Sequence, residues 1–314
     1  MRHPVSLADG GGRWAVGGRL PAAFLASAEG RVPSPVFIMI RLIAIDLDGT
    51  LLDSRGHLPG PNRDAIAEAV ARGFHVTLVT GRSFHFARPV VSALPSEVTL
   101  VVNNGAVEKT MDGATLARRL LSIEAAQAVL DGTRAHRASA ALVFDRDDRP
   151  LVFETMDWDD PNRRGYFERN RAYVSQAPLD AALDEAPIAV VFNGRVEPMR
   201  ELRERLLAWP AAGAFAVALT EYEQRDFSLV DVTGPDCTKA TGLASRATAL
   251  GIDASEVLAL GDNFNDAEML EWSGLPVLMG NAVPGLRARG WATTGTNDEA
   301  GVAQAIRRYA LQTG

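Results

Sequence analysis

The chain has 314 residues, 47% of them hydrophobic and 23% charged, with 28 Gly and 17 Pro. These values sit near globular averages and the length exceeds one ordinary domain, so disordered, collagen-like and coiled-coil classes drop out and two domains sharing a large core are expected. A formal net charge of -7 works against a general nucleic-acid or anionic-membrane footprint, because both need a positive field.

Cys237 is the single cysteine. It can form no intramolecular disulfide, no zinc-like His/Cys spacing exists, and a reducing cytoplasm is the expected location. The longest apolar candidate, around Val36 to Ile45, is cut by Arg41 and ended by Asp46, short of the roughly 18 residues a membrane helix needs. The 32 cations divide into 30 Arg and two Lys, Lys109 and Lys239. A chain that places arginine almost everywhere makes each lysine conspicuous.

In chain order, residues 1–38 carry Gly10-Gly11-Gly12 and Gly17-Gly18 among scattered Ala, Pro and Arg. They hold no sustained period and are read as a disordered extension. A secretory signal built on Leu20 to Ala28 is the alternative, disturbed by Asp9 and Pro21. Met39 stands directly before the first strong strand and is a candidate start. From Arg41 the pattern becomes short apolar runs followed by helical stretches. Strands are expected at Leu42 to Ile45, Val76 to Val79 and Leu100 to Val102, with helices around Asn62 to Arg72 and Ser83 to Ala93. The same pattern returns at Leu243 to Leu250, then with a strand at Val257 to Leu260, at Ala267 to Trp272 and Pro276 to Met279, and with a closing helix near Val302 to Leu311. Continuous apolar strands alternating with helices imply a parallel sheet covered on both faces.

Between these halves, Thr115 to Tyr222 has a different texture: a helix over Ser122 to Arg137, strands at Ala141 to Phe144, Leu151 to Phe153 and Ile188 to Phe192, a charged loop, and a helix over Pro198 to Trp209. The expected division is therefore a core over 39–114 and 223–314, with a smaller α/β unit over 115–222 inserted into it.

Four motifs carry chemistry. Asp46-Leu47-Asp48-Gly49-Thr50 closes a buried strand, where parallel sheets place ligands; one carboxylate suits a nucleophile and the other an acid and then a base. A polar turn is the plain alternative. A calcium loop fails, because its glycine position falls on Leu51 and its twelfth-position glutamate on His57. Thr80-Gly81-Arg82 follows the next strand and offers a hydroxyl and backbone amides to an oxyanion. Lys239 stands just before a helical segment, but Thr238 precedes it where a Walker loop has glycine. Gly261-Asp262-Asn263-Phe264-Asn265-Asp266 supplies hard oxygen ligands of the kind magnesium prefers, with amides for a phosphate. Three of the four follow buried strands directly, and their order is rarer than any member.

In that order the motifs resemble the haloacid dehalogenase-like hydrolases, and within them the Cof-type phosphatases with a class IIB cap. The resemblance extends through Asn103-Asn104-Gly105-Ala106, Met279-Gly280-Asn281-Ala282 and Thr296 to Val302. It implies a Rossmann-like parallel core with an inserted α/β cap. It also implies Asp46 as nucleophile, Asp48 as general acid/base, and Thr80, Gly81, Lys239 and Asn265 around the transferring phosphoryl group. Mg²⁺ would be bound by Asp46, the Asp48 backbone carbonyl and Asp262, with Asp266 as ligand or just behind. Ala240 departs from the glycine that often follows the lysine in relatives, which leaves the helix start open. ATPase relatives carry Thr where Asp48 stands, so a phosphatase of a small phosphorylated metabolite, such as a sugar phosphate, is expected. A phosphosugar mutase and a non-catalytic phosphate sensor are the alternatives. Neither nucleic acid nor membrane is an expected partner, and the oligomeric state is open. The cationic stretch Arg163 to Arg171 reads as a solvated loop or as a contact for an anionic or sugar substrate.

Overall fold

Leu42, Ile43, Ala44 and Ile45 form strand β1 and all four are fully buried, because each face of the strand has its own apolar layer. Ile43 and Ile45 pack with Ala65 and Ile66 on one side, whereas Leu42 and Ala44 pack with Leu243 and Ala247 on the other. Each fully buried large side chain contributes roughly 1.5–3 kcal/mol. The computed structural model describes residues 39–312 apart from 211, 223 and 224. The extension expected over 1–38 lies outside the described residues.

In the same manner β2 (His75–Val79) and β3 (Thr99–Val102) run parallel to β1. The chain then turns back through β4 (Val107–Thr110) and β5 (Thr115–Arg118), an antiparallel hairpin closed by a turn in which Gly113 takes φ +101°. A smaller set of strands follows: β6 (Ala140–Val143), β7 (Leu151–Phe153), β8 (Val174–Gln176), β9 (Ala189–Gly194), β10 (Ala216–Tyr222) and β11 (Phe227–Thr233). The last strands are β12 (Val257–Gly261), β13 (Leu275–Leu278) and β14 (Ala292–Thr293). The first sheet has the order β14-β13-β12-β1-β2-β3-β4-β5, parallel from β14 to β3. The second has the order β10-β11-β9-β6-β7-β8 and is mostly antiparallel. This is an α/β fold with a Rossmann-like parallel sheet and a smaller inserted α/β unit. No helix among the described residues is long and apolar enough to cross a membrane.

Sheet membership departs from the division read in the sequence. Thr115–Arg118 belongs to the first sheet and Phe227–Thr233 to the second, so the inserted sheet ends after the expected boundary at Tyr222. Both are hairpin strands, and a hairpin's partner is not legible from its own short run. The charged loop expected before Ile188 contains a helix, Pro161–Asn170, started by Pro161 and by the Asp160 carboxylate accepting from the Asn162 amide. Within it Arg164 pairs with Glu168 at one-turn spacing, while Arg163 is buried over the Phe167 ring.

Lys109 on β4 ties the two sheets together. Its Nζ lies 2.7 Å from Asp145, in the turn after β6, and the Thr115 hydroxyl donates to the same carboxylate at 2.9 Å. His85 stacks on Tyr173 across the same boundary, with ring centroids 4.5 Å apart. The inserted unit lies over the carboxyl ends of β1, β2 and β12, since residues that follow these strands line one cleft with residues of that unit.

Candidate active site

Asp46 is the first residue beyond β1, and the backbone after it makes a wide turn in which the Leu51 amide donates back to the Asp46 carbonyl at 3.1 Å. Gly49 permits that turn. It takes φ +82°, and a Cβ there would lie 2.8 Å from Cγ of Asp262, so any side chain would push the Asp262 carboxylate away. Asn281 supports the turn from outside by donating from Nδ2 to the Gly49 carbonyl at 2.8 Å. Asn297 donates from its amide to Asn281 Oδ1 at 3.0 Å and from Nδ2 to the Leu52 carbonyl at 3.0 Å.

Lys239 arrives from the opposite side. Thr238 and Thr241 cap each other's amides, which begins the helix Lys239–Leu250 at the lysine itself. Ala240 is thus no obstacle to the helix start. Gly242 and Gly105 let this helix lie against the turn after β3, since a Cβ on Gly242 would fall 2.7 Å from Gly105 Cα. Lys239 Nζ then donates to Asp46 Oδ1 at 2.5 Å and to Asp266 Oδ1 at 2.6 Å. Asp266 uses its other oxygen to accept from the amides of Asp262 and Asn263, at 3.0 and 3.1 Å. Thr50 donates to Asp262 Oδ1 at 3.0 Å.

One buried cation therefore faces three carboxylates, Asp46, Asp262 and Asp266, whose ligand oxygens lie within 4.8 Å of one another. The electrostatics follow from that imbalance. Burial, and then the Asp266 charge, push the Asp262 carboxyl up to about 7. Asp46 is raised well above the ordinary value by burial and by Asp266, against the opposing pull of Lys239. Burial works against the Lys239 ammonium, but Asp266 and Asp46 outweigh it and hold its pKa above the lysine range. Such excess buried negative charge is what a bound cation relieves, and an all-oxygen set suits a hard divalent ion. The cluster can hold a metal ion.

Above this floor opens a cleft of about 1040 Å³ that Asp46, Asp48, Thr80, Gly81, Lys239 and Asn265 all line. The sequence-predicted residues are thus brought together, with one difference in detail. The Asp48 side chain is held in a two-point pair with Arg82, Nε to Oδ2 at 2.8 Å and Nη2 to Oδ1 at 2.5 Å. Thr80 accepts from the Arg82 amide at 3.1 Å and is 1% exposed.

Sequence reasoning gave no role to Arg82, Asn281 or Asn297, although all three stand in the quoted motifs. It also missed Tyr222 and Asp231, which line the cleft together with Tyr166 of the cationic stretch weighed as a substrate contact. Asp231 has no sequence signal, since a polar residue alternating with Val230 and Val232 reads as an outward-facing strand position.

A family model described as haloacid dehalogenase-like hydrolase matches residues 43–306. The chain belongs to the haloacid dehalogenase-like hydrolases. It is an enzyme, a hydrolase of the phosphatase kind that the motif order implied; which ester it takes is a separate question. The 5-amino-6-(5-phospho-D-ribitylamino)uracil phosphatase YcsE of Bacillus subtilis is 29% identical over 274 residues, covering 87% of this chain and 96% of that relative. A solved haloacid dehalogenase-like hydrolase from Bacteroides thetaiotaomicron superposes with a TM-score of 0.73 at 23% identity, over 86% of this chain and 99% of that one. A sugar phosphatase of subclass IIB superposes with a TM-score of 0.68 at 18% identity, over 86% and 98%. These two likenesses show the fold, inserted unit included.

Proposed function

We propose that this hydrolase releases phosphate from a small phosphorylated metabolite, a sugar phosphate or similar monoester, in the cytoplasm and with Mg²⁺, through a phosphoryl group carried on Asp46. The observation that carries this reading is Lys239 held between Asp46 and Asp266 at 2.5 and 2.6 Å, with Asp262 completing the acidic cluster. A nucleophilic carboxylate approaching a dianionic ester meets charge repulsion, and this floor is built to collect positive charge beside that carboxylate.

Asp46, Asp262 and Asp266, with the Asp48 backbone carbonyl, would hold Mg²⁺. When bound, the ion supplies charge that lets carboxylate and phosphate approach. An Asp46 oxygen attacks phosphorus while the P–O bond to the leaving group breaks, and Asp48 donates its proton to the departing alkoxide. Asp48 then takes a proton from water as that water attacks phosphorus and the Asp46–P bond breaks. Lys239, the Thr80 hydroxyl, the Gly81 amide and Asn265 hold the phosphoryl oxygens meanwhile. Arg82 and Asp48 face each other across the mouth of the cleft, so a substrate oxygen that binds Arg82 competes with Asp48 for the guanidinium and frees the acid to act.

The inserted unit acts as a cap, and sheet membership supports extending it to Thr233. A cleft walled by that unit favours small substrates over proteins. The YcsE relative, named for a small phosphorylated compound, supports the same class. The test is phosphate release from a panel of monoesters with Mg²⁺ and with excess EDTA. Release that needs the metal is expected; full activity in EDTA would remove Asp46, Asp262 and Asp266 from a metal site.

A further inference from the structure

Asp231 lies in the middle of β11, opposite Ala218 on β10 and Val191 on β9, and it lines the cleft. Its neighbours Val230 and Val232 are fully buried on the other face of the sheet. Among the described residues its carboxylate has no ion-pair partner. Its hydrogen bond there is a long one, from Asn104 Nδ2 at 3.4 Å. Burial alone pushes this carboxyl up to about 7. A half-buried carboxylate with so little compensation carries a desolvation cost, and nothing in the packing of β11 asks for an acid at this place.

Its surroundings give the position a meaning. The Asn104 side chain that reaches Asp231 also abuts Gly81, where a Cβ would lie 3.0 Å from Asn104 Oδ1. Asp231 therefore stands across from the loop proposed to hold the phosphoryl group. Tyr222 feels the charges of both Asp48 and Asp231, and Tyr166 feels that of Asp231. Asp231 and both tyrosines line the same cleft as Asp48, the acid proposed to protonate the departing alkoxide. The ring of Tyr166 packs between Phe86 and Phe227, with centroids 6.3 and 5.8 Å away, so this part of the cleft has an aromatic wall beside a hydrogen-bond acceptor. An acceptor next to ring faces suits a leaving group that carries hydroxyl donors on one edge and C–H groups on another.

We propose that Asp231 is a specificity-determining residue whose carboxylate accepts hydrogen bonds from the hydroxyl groups of a polyol leaving group, a sugar or alditol phosphate, seated against Tyr166. This rests on the phosphatase reading and adds the group that selects the substrate. Sites built to pair a substrate hydroxyl reject analogues that lack it, because the buried polar group is then left unpaired.

The test compares wild type, Asp231→Ala and Asp231→Asn on sugar and alditol phosphates against phenyl phosphate, whose leaving group has no hydroxyl beyond the ester oxygen. For the best polyol substrate, kcat/KM is expected to fall at least tenfold in Asp231→Ala, while phenyl phosphate stays within threefold. Asp231→Asn is nearly isosteric and carries the test if Asp231→Ala does not fold. Equal losses on both substrate types would make Asp231 a support for Asn104 and the phosphate loop, and no loss on either would make it inert; each result overturns the proposal. If wild type hydrolyses phenyl phosphate but no polyol phosphate, this inference fails alone. If it hydrolyses neither, the phosphatase reading fails with it.

Discussion

Arg82 holds Asp48 at two points, with Nε on one carboxylate oxygen and Nη2 on the other, although 34 positions separate them in the chain. The Asp48 side chain is 53% exposed, and pairs so open to water contribute about 0–1 kcal/mol to stability. Stability is therefore a poor reason for the arrangement, and a guanidinium that a substrate oxygen can take over from Asp48 is a better one. Arg82→Lys keeps the charge and loses the planar fork. It should lower kcat/KM on phenyl phosphate about tenfold or more while shifting Tm by no more than a degree or two. A variant with wild-type kinetics would make the pair incidental.

Asp46→Asn and Asp48→Asn should differ in kind. The first removes the attacking oxygen and should abolish turnover. The second leaves attack on an activated aryl phosphate possible but slows hydrolysis of the acyl phosphate, because no base receives the water's proton. Intact-mass analysis after mixing with an aryl phosphate should show a phosphoryl adduct on Asp48→Asn and none on Asp46→Asn. The opposite pattern would exchange their roles.

Asp231 also predicts a pH dependence of stability. Its folded-state pKa, about 7, lies above the ordinary carboxyl value of 3.8, so between those values the folded chain holds a proton that the unfolded chain has lost. Stability therefore falls as pH rises through this window. Asp231→Asn removes that penalty. Relative to wild type, the variant should gain on the order of 1–4 kcal/mol between pH 4 and 8, read as a difference in Tm that grows with pH. A constant difference would mean that Asp231 ionises as freely as an exposed carboxylate.

Legibility in the sequence followed the physics of each element. β1 and β12 are legible almost to the residue, because strands buried on both faces are continuous apolar runs with polar residues crowding their ends. That same contrast exposed Asp46, Thr80 and Asp262. Lys239 was legible through a compositional accident, the scarcity of lysine. By contrast, β5 and β11 depend on partners elsewhere in the chain, and Asp231 on the fold that turns β11 toward the cleft. The pairing of Arg82 with Asp48 was likewise beyond reach, since it rests on where two loops end up rather than on what either contains.

Lys239→Arg is the sharpest test of the floor of the cleft. Lys239 is 2% exposed and its ammonium touches Asp46 and Asp266 together, so a substituent must fit a space already filled. Arginine keeps the charge, but its wide guanidinium cannot place one nitrogen between the two carboxylates without pushing one aside. The displaced group is either the proposed nucleophile or the carboxylate that fixes the Asp262 and Asn263 amides. Misplacement of about 1 Å at such a point can cost on the order of a hundredfold in rate. We expect kcat/KM to fall at least tenfold, more than about 1.4 kcal/mol of transition-state stabilisation. Overpacking should cost about 1–3 kcal/mol of stability, so the variant should remain folded in a thermal melt. The chain carries 30 arginines, and a lysine of no consequence would accept one more. Wild-type kinetics in the folded Lys239→Arg protein would take Lys239 out of the reaction.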